Sequence, residues 1–435
     1  METSEEIPSG HLGNLSGGQQ GALKDMWACF YALQGDTSQA PSRYGAQVNI
    51  AEALKCVKDC GGYDTFHSTF WASPSAGHPD SMMLRFLRAR KFDVSAAIVM
   101  LANMIKWRVE VDADKIIEQG EEVLNRDMPG FDLQMKSGKT YIHGTDRLNR
   151  PIFYIHSQLH DPKAQSFETL RAFTIYGMET GRSFLCPPTN QTCLLFDMSG
   201  FGLRNMDWTY IKFLVMAFEA YYPETLGALI IHGAPWIFGG IWRVLKPLLD
   251  PVVASKFVFT RNDQELFEYV HPDQLIERVG GNDKWTWTYT DCVNGENARC
   301  RDEKLNAEWK TKRAASLQHV EEATKAWIAG DEGSLFASRE KSIAEYRATS
   351  IEADPYIRPR SVYHRHGNLL EDGTVFWHYD SAAPDQAFGI SLENLRAEGR
   401  AQSADGKDIV CKAAYETKEA DVSELSSKPQ AESPS

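Results

Sequence analysis

The chain has 435 residues, about the length of two to four domains, and 43% of them are hydrophobic, which is enough for a sizeable core. It carries 46 basic and 59 acidic residues, a net charge of −13, which argues against non-specific nucleic-acid binding because that needs a broad basic surface. No apolar run approaches the roughly 20 residues of a membrane-spanning helix.

The N-terminal region, residues 1–49, is polar. Residues 1–20 are rich in Gly, Ser and Glu, so we expect disorder there, and they lack the basic leader and apolar core of a signal peptide. Residues 22–33 carry apolar side chains at helical spacing, which predicts a short amphipathic helix.

A helical bundle is predicted over residues 50–128. Residues 50–59 and 64–72 are expected to form short helices, and the apolar spacing of residues 79–122 predicts longer ones. Asp80 or Ser81 is the expected cap of the first long helix, and Asp93 or Ser95 that of the second.

After Phe131 the apolar period changes, and short strand-like runs alternate with longer helical patterns. The predicted strands are 140–142, 152–155, 193–198, 228–231 and 257–259, and the predicted helices are 166–185, 205–221 and 236–249. Strands separated by helices imply an α/β lobe with a largely parallel sheet, which we place at residues 129–290.

The remaining chain is predicted as a charged helical extension followed by a tail. Residues 302–350 have helical spacing, and the aromatic and basic segment 358–380 is expected to fold back on the body, so the extension spans 291–381. Residues 382–435 have no packable pattern and are expected to be a disordered tail.

The sequence lacks the local motifs of common enzymes. There is no G-x-G-x-x-G after a strand, no Walker loop and no G-x-S-x-G elbow, which favours binding over catalysis and implies no catalytic residue and no cofactor. The pairs Cys56/Cys60 and His156/His160 are too isolated to predict a metal site. The eight cysteines are interpreted as reduced thiols, and the cytosol is the expected compartment.

Three segments carry a resemblance to a known family. They are Leu84-Arg85-Phe86-Leu87-Arg88-Ala89-Arg90-Lys91-Phe92-Asp93, Tyr221-Tyr222-Pro223-Glu224, and Leu245-Lys246-Pro247-Leu248-Leu249-Asp250-Pro251 with Ser255-Lys256. In this order and spacing the chain resembles the CRAL-TRIO lipid-binding family over residues 79–285, and within it the fungal phosphatidylinositol/phosphatidylcholine transfer proteins. The resemblance implies an α/β fold with an N-terminal helical bundle, a mixed, largely parallel sheet that forms the floor of a lipid pocket, and a mobile helical gate.

The gate is predicted within residues 235–249, which are apolar on nearly all sides, as suits a helix with lipid inside and membrane outside. Gly239 and Gly240 each lower helix stability by about 1 kcal/mol relative to alanine. The alternative is a buried core helix. The candidate gate residues are Trp236, Phe238, Gly239, Gly240, Ile241, Trp242 and Leu245.

The resemblance also implies a site for a phosphoinositide headgroup. Its residues would be Arg90, Lys91, Asp146, Glu224 and Lys256, with cations on phosphate oxygens and carboxylates accepting from inositol hydroxyls. The alternatives are a structural ion pair for Glu224 and Lys256 and a surface role for Arg90 and Lys91. Ile142 and Val253 depart from the family pattern, each replacing a hydroxyl residue.

A lipid with two acyl chains needs a long apolar cavity. The candidate lining residues are Phe153, Phe173, Tyr176, Thr192, Leu194, Phe196, Leu214, Phe218, Thr225 and Ile230, and each has the alternative of simple core packing. The family's phosphocholine site uses hydroxyls and an arginine, of which Tyr176 is kept and Thr192 is a conservative change. Phe153, Leu194, Phe218 and Thr225 replace the others, so we expect poor phosphatidylcholine binding.

The leading hypothesis is a phosphatidylinositol transfer protein that exchanges this lipid for a sterol or an isoprenoid hydrocarbon. Its expected partners are these lipids, membranes contacted transiently (endosome, Golgi, lipid droplet or endoplasmic reticulum) and a lipid kinase. The alternative is a non-transferring lipid sensor or scaffold that recruits a protein through the C-terminal extension. The third and weakest hypothesis is that the protein is a hydrolase or an oxidoreductase.

Overall fold

The protein is represented by a computed structural model that describes residues 7–41, 47–73, 76–185, 187, 190–330 and 333–405, with the backbone alone for 399–405. The N-terminal part is a bundle whose helices pack around one aromatic core. They are α1 (Gly17–Ala32), α2 (Ala51–Asp59), α3 (Tyr63–Ala72), α4 (Pro79–Ala89) and α5 (Val94–Glu110), with a short ladder of β1 (Gln39–Ala40) and β2 (Val48–Asn49) at its edge. Trp27, Phe30, Phe70 and Trp71 are almost completely buried at its centre.

Two further helices, α6 (Ala113–Asp127) and α7 (Phe131–Lys136), lead into the sheet. Gly120 interrupts α6 with φ +64°, and a Cβ at this glycine would lie 2.6 Å from Cβ of Pro359. Glycine is therefore required at this position for two reasons: its backbone adopts a positive φ, and Pro359 of the C-terminal extension packs closely against it.

A five-stranded sheet forms the second part of the molecule. Its strands are β3 (Thr140–Thr145), β4 (Pro151–His156), β5 (Thr192–Asp197), β6 (Leu226–His232) and β7 (Phe257–Thr260), in the order β3-β4-β5-β6-β7. Only β3 and β4 pair antiparallel, and the remaining pairs are parallel. The connecting helices are α8 (Phe167–Gly181), α9 (Trp208–Met216), which continues as a π-helical turn over Ala217–Tyr221, α10 (Phe238–Leu245), α11 (Pro251–Ser255) and α12 (Asp263–Phe267).

The C-terminal extension completes the core of the bundle. Its elements are α13 (Ala298–Arg301), α14 (Glu303–Ala329), α15 (Gly333–Ile357), α16 (Val362–Arg365), β8 (Thr374–Trp377), β9 (Gln386–Gly389) and α17 (Leu392–Asp405). Val320, Trp327, Ile343 and Tyr346 are buried in the same hydrophobic cluster as the bundle aromatics. The long helices therefore belong to the folded body.

A buried carboxylate joins the extension to α6 and α8. Glu121 accepts hydrogen bonds from the Tyr176 hydroxyl at 3.0 Å, from the Tyr289 hydroxyl at 3.1 Å and from the Val362 amide at 2.8 Å, and it pairs with Arg365. Burial raises the pKa of Glu121, with the Arg365 guanidinium opposing that shift.

Each predicted strand and long helix is confirmed, as are the short helices α2 and α3 and the cap of α5 by Asp93, whose carboxylate accepts from the Ala96 amide. The expected cap of α4 is wrong. His78 caps that helix, because Pro79 suits its first turn, and Asp80 is buried and pairs with Arg339.

Two expectations of disorder are also wrong within the described residues. Residues 17–20 begin α1, because Ser16 and Gln19 form a capping box. Residues 386–405 contain β9 and α17, since β9 pairs with β8 and the side chain of Leu395 is buried. Residues 1–6 and 406–435 lie outside the described residues.

Candidate functional site

One face of the sheet carries two continuous rows of apolar side chains. The strand register aligns Phe153, Leu194, Leu229 and Phe257 in one row, and Ile155, Phe196, Ile231 and Phe259 in the next. Phe153, Ile155, Phe196 and Phe257 are only half-buried, and Phe259 is 42% exposed. We call these eight residues the apolar ladder. Its incomplete burial leaves apolar surface that an apolar ligand would remove from water.

The helix α10 lies over this ladder. Phe238, Ile241 and Leu245 recur at helical spacing and are buried, and the first two belong to the ladder's cluster. Trp242 packs on Phe257, with ring centroids 4.8 Å apart, and on Phe259 at 5.1 Å. The helix therefore closes the ladder with its apolar inner face.

The outer side of α10 is apolar as well. Trp236 is 92% exposed and Val244 and Leu248 are about half exposed, beside an exposed Met216 on α9. Gly239 and Gly240 are exposed, and a Cβ at either would meet no atom within 4 Å. No packing constraint of the described residues thus explains these two glycines, which weaken the helix. We call Phe238–Leu245 with Trp236 the gate.

A charged cluster lies on α4, after α9 and before β7. Glu224 has φ +60° and lies 4.0 Å from Nε of Arg88. Lys256 is half-buried and has no carboxylate within 4 Å among the described residues. Burial lowers the pKa of Lys256, as do Arg88 and Arg150, whereas Glu224 raises it. An anion would relieve this excess of cations.

The sequence reasoning missed Arg88. Its Nη1 donates to the Gly10 carbonyl at 2.9 Å, and its Nε is buried without a hydrogen-bond partner among the described residues. Burial lowers its pKa to about 10, with Glu224 opposing. The signal was present, because Arg85 and Arg88 recur three apart on α4 beside buried Leu84 and Leu87.

The other three predicted headgroup residues do not join this cluster directly. Arg90 and Lys91 are exposed, and neither lies within ion-pair distance of Glu224. Asp146 is buried and holds a turn, since it pairs with Arg150 at 2.6 Å and accepts from the Leu148 and Arg150 amides. Asp146 therefore affects the cluster indirectly, because it orients Arg150, whose charge acts on Lys256.

Four of the predicted lining residues come together at the ladder. Phe153, Leu194 and Phe196 belong to it, and Phe218 packs against the same cluster from the π-helical turn. Leu214 is half-buried on α9. Ile230 lies on the opposite face of the sheet, fully buried with Tyr154, because neighbouring residues of a strand point to opposite faces.

The remaining lining candidates have other partners. Phe173 and Tyr176 face Phe131 on the other side of α8, and the Tyr176 hydroxyl is held by Glu121. The Thr192 hydroxyl donates to the Pro151 carbonyl at 3.0 Å and the Thr225 hydroxyl to the Tyr222 carbonyl at 2.6 Å. Their hydroxyl hydrogens are therefore already used within the protein.

Within the described part of the chain, no helix combines the length and apolar character that crossing a bilayer requires. Comparison with known proteins gives two family matches, one after the other along the chain. Residues 39–103 match the CRAL/TRIO N-terminal domain and residues 135–281 the CRAL/TRIO domain. The second match contains the whole sheet and the gate.

Two fungal relatives match beyond these domains. The CRAL-TRIO domain-containing protein C3H8.02 of Schizosaccharomyces pombe is 38% identical over 301 residues, which cover 68% of this chain and 67% of the relative. Phosphatidylinositol transfer protein CSR1 of Eremothecium gossypii is 35% identical over 327 residues, 74% of this chain and 75% of the relative. The crystal structure of Sfh5 aligns at 22% identity with a TM-score of 0.40, over 50% of this chain and 76% of that one. The identity and coverage of the two fungal relatives show that the chain belongs to the CRAL-TRIO family.

Proposed function

We propose that the protein transfers phosphatidylinositol between membranes, holding one lipid between the apolar ladder and the gate. The observation that carries the proposal is the incompletely buried ladder, which an apolar helix covers near a cluster of poorly neutralised cations. Acyl chains on the ladder would gain roughly 25 cal/mol for each Å² of apolar surface removed from water.

The charged cluster supports an inositol phosphate as the polar end. Lys256 and Arg88 would donate to phosphate oxygens, and Glu224 would accept from an inositol hydroxyl. The positive φ of Glu224 is a strained conformation for a side chain of this kind, and such strain is often kept at functional positions. Asp146, Arg90 and Lys91 keep a supporting role in this proposal, through Arg150 or at the surface.

The outer side of the gate supports transient membrane contact. Trp236, Val244 and Leu248 would enter the interface, and the exposed Lys212, Arg243 and Lys246 would meet anionic headgroups. Contact with a membrane would favour movement of the gate away from the ladder, because the outer apolar surface of the gate is then buried in the membrane interface and removed from water. The protein would work from the cytoplasm and visit membranes, where it could also present its lipid to a kinase.

The second lipid is proposed to be a sterol or an isoprenoid hydrocarbon. The ladder consists of apolar side chains alone, and the hydroxyls of Tyr176, Thr192 and Thr225 have partners elsewhere. A phosphocholine group placed there would lose several kcal/mol for want of hydrogen-bond partners. The name of the relative from Eremothecium gossypii supports phosphatidylinositol as the first lipid, and it mentions no second lipid.

Transfer is tested with labelled phosphatidylinositol moving from donor to acceptor vesicles. Lys256→Ala should slow transfer about tenfold or more, the loss of one charge-assisted hydrogen bond. Lys55→Ala, which removes an exposed lysine of α2, is the matched control and should transfer like the wild type. Equal, slow movement by the wild type and Lys256→Ala would reject transfer and favour the lipid sensor or scaffold.

A further inference from the structure

A second cleft lies away from the apolar ladder, between the bundle, the segment after α8 and the C-terminal extension. The cleft is partly open to solvent and has a cavity volume of about 100 Å³. Its polar lining includes Ser81, Arg85, Arg182, Asp354 and His364, and none of the ladder or gate residues contributes to it. A lipid held on the ladder would therefore leave this cleft vacant.

One end of the cleft holds a cation that lacks a counter-ion. Arg85 has no carboxylate within 4 Å among the described residues, its Nε is buried without a partner, and its Nη2 makes only a 3.4 Å contact with the Asn190 carbonyl. Burial and the positive charges of Arg182 and Arg88 together lower its pKa to about 9, against a smaller opposing effect of Glu224. Arg85 is half-buried, and a guanidinium in such surroundings is costly unless an anion accompanies it.

Arg182 is the second cation at this end. It shares Glu179 with Arg108, and Arg108 holds that carboxylate more closely, at 2.7 Å compared with 3.4 Å for Arg182. The Arg182 guanidinium is thus only partly neutralised while it lines the cleft beside Arg85. Two guanidinium groups facing one space match the several acceptor oxygens of a phosphate.

The other end of the cleft is acidic. Asp354 and Glu371 line the cleft together, and the charges that act on Asp354 are those of Arg358, Arg313 and Glu371. Glu371 is engaged by Arg299 and Arg360, whereas Asp354 has no ion pair within 4 Å among the described residues. Burial raises the pKa of Asp354. Carboxyl oxygens and the nearby Ser350 suit hydroxyl groups.

We propose that this cleft binds a soluble phosphorylated polyol, with the phosphate between Arg85 and Arg182 and hydroxyl groups toward Asp354. The site would be separate from the lipid headgroup cluster at Glu224 and Lys256. It needs the C-terminal extension, because α15 and residues 369–373 supply one wall. Binding would tie that extension to the bundle and to the segment after α8.

The test uses the full chain, titrated by calorimetry and thermal unfolding with inorganic phosphate and with myo-inositol 1-phosphate at constant ionic strength. The wild type should bind both and gain thermal stability, whereas chloride should have no effect. Arg85→Met should weaken both ligands at least tenfold. Without ligand this variant should be as stable as the wild type or more so, because a poorly compensated, half-buried charge is removed. Arg204→Met, at an exposed arginine, is the charge-matched control.

Two further variants separate the parts of the proposal. Asp354→Asn should weaken the inositol phosphate more than inorganic phosphate. Lys256→Ala should keep the binding of both ligands that depends on Arg85, although it should lose any phosphate bound at the headgroup cluster, and Arg85→Met should still transfer phosphatidylinositol between vesicles. Absence of phosphate binding, equal effects of chloride, unchanged binding by Arg85→Met, or loss of all phosphate binding in Lys256→Ala would each overturn the proposal. Loss of lipid transfer in Arg85→Met would assign the arginine to the lipid headgroup instead.

Discussion

Replacing Arg339 with methionine should destabilise the protein strongly, although the residue lies in the C-terminal extension. Its side chain is completely buried and donates to both Asp80 oxygens, at 2.7 and 2.5 Å, and to the Thr324 hydroxyl at 2.9 Å. The Trp27 indole donates to the same carboxylate at 2.7 Å. The substitution keeps much of the apolar volume and removes the charge.

The expected loss is about 3–5 kcal/mol of unfolding free energy, because removing one partner leaves the other charge buried and unpaired. Burial alone would raise the pKa of Asp80, but Arg339 more than offsets this and the pKa lies below its usual value. In Arg339→Met the pKa of Asp80 should therefore rise. The loss of unfolding free energy that the substitution causes should be smaller at low pH than at neutral pH, because the Asp80 carboxylate then takes a proton and no longer carries a charge.

Urea unfolding followed by tryptophan fluorescence and circular dichroism measures the loss. The double variant Asp80→Asn with Arg339→Met should recover at least half of it, since no charge then remains buried. Lys312→Met, which breaks an exposed pair with Glu308, is the control and should cost less than about 0.5 kcal/mol. A loss below about 1 kcal/mol in Arg339→Met, or separate unfolding of α14 and α15 from the bundle, would refute the view that the extension is part of one core.

Three other predictions concern acid stability, the gate and α6. Burial alone would raise the pKa of Glu179, but Arg108 and Arg182 lower it to about 2 from the usual 4.5. This carboxylate therefore adds stability above pH 4.5 that is lost as pH falls toward 2, and Glu179→Gln should flatten the acid side of a pH series of urea titrations. Trp242→Ala removes two aromatic contacts worth about 0.5–1.5 kcal/mol each, so proteolysis within 236–249 should accelerate several-fold, and an unchanged rate would contradict the packing of the gate. Gly120→Ala should lower the unfolding free energy by about 1–3 kcal/mol, measured by urea unfolding, because its Cβ would overlap Pro359.

Local sequence patterns predicted the elements well. The short apolar runs of β4 and β5 and the helical spacing of α8 to α10 depend on neighbouring residues. The same holds for the caps Ser166 and Asp207, which accept from the amides of Thr169 and Tyr210. The charged surface of α14 hid its role in the core, because only a few of its side chains are buried and their partners lie near residue 27.

The site was predicted less completely, since it depends on which face of the sheet a residue meets. Ile230 and Leu229 are equally apolar neighbours, and only the register places Leu229 in the ladder and Ile230 behind it. Tyr176 was expected at the pocket, but its hydroxyl meets Glu121, a partner 55 residues away that no local pattern indicates. Arg85 and Arg88 belonged to the segment that carried the resemblance, yet only the tertiary structure shows that Arg85 has no carboxylate within 4 Å among the described residues and that Arg88 has Glu224 at 4.0 Å.

The most direct measurement of the central claim is mass spectrometry of the lipids that accompany the purified protein. The account predicts about one lipid per chain, with phosphatidylinositol abundant, a neutral sterol or isoprenoid hydrocarbon as the second species, and phosphatidylinositol depleted in Lys256→Ala but not in Lys55→Ala. A chain that carries no lipid, or one that carries mainly phosphatidylcholine, would contradict it.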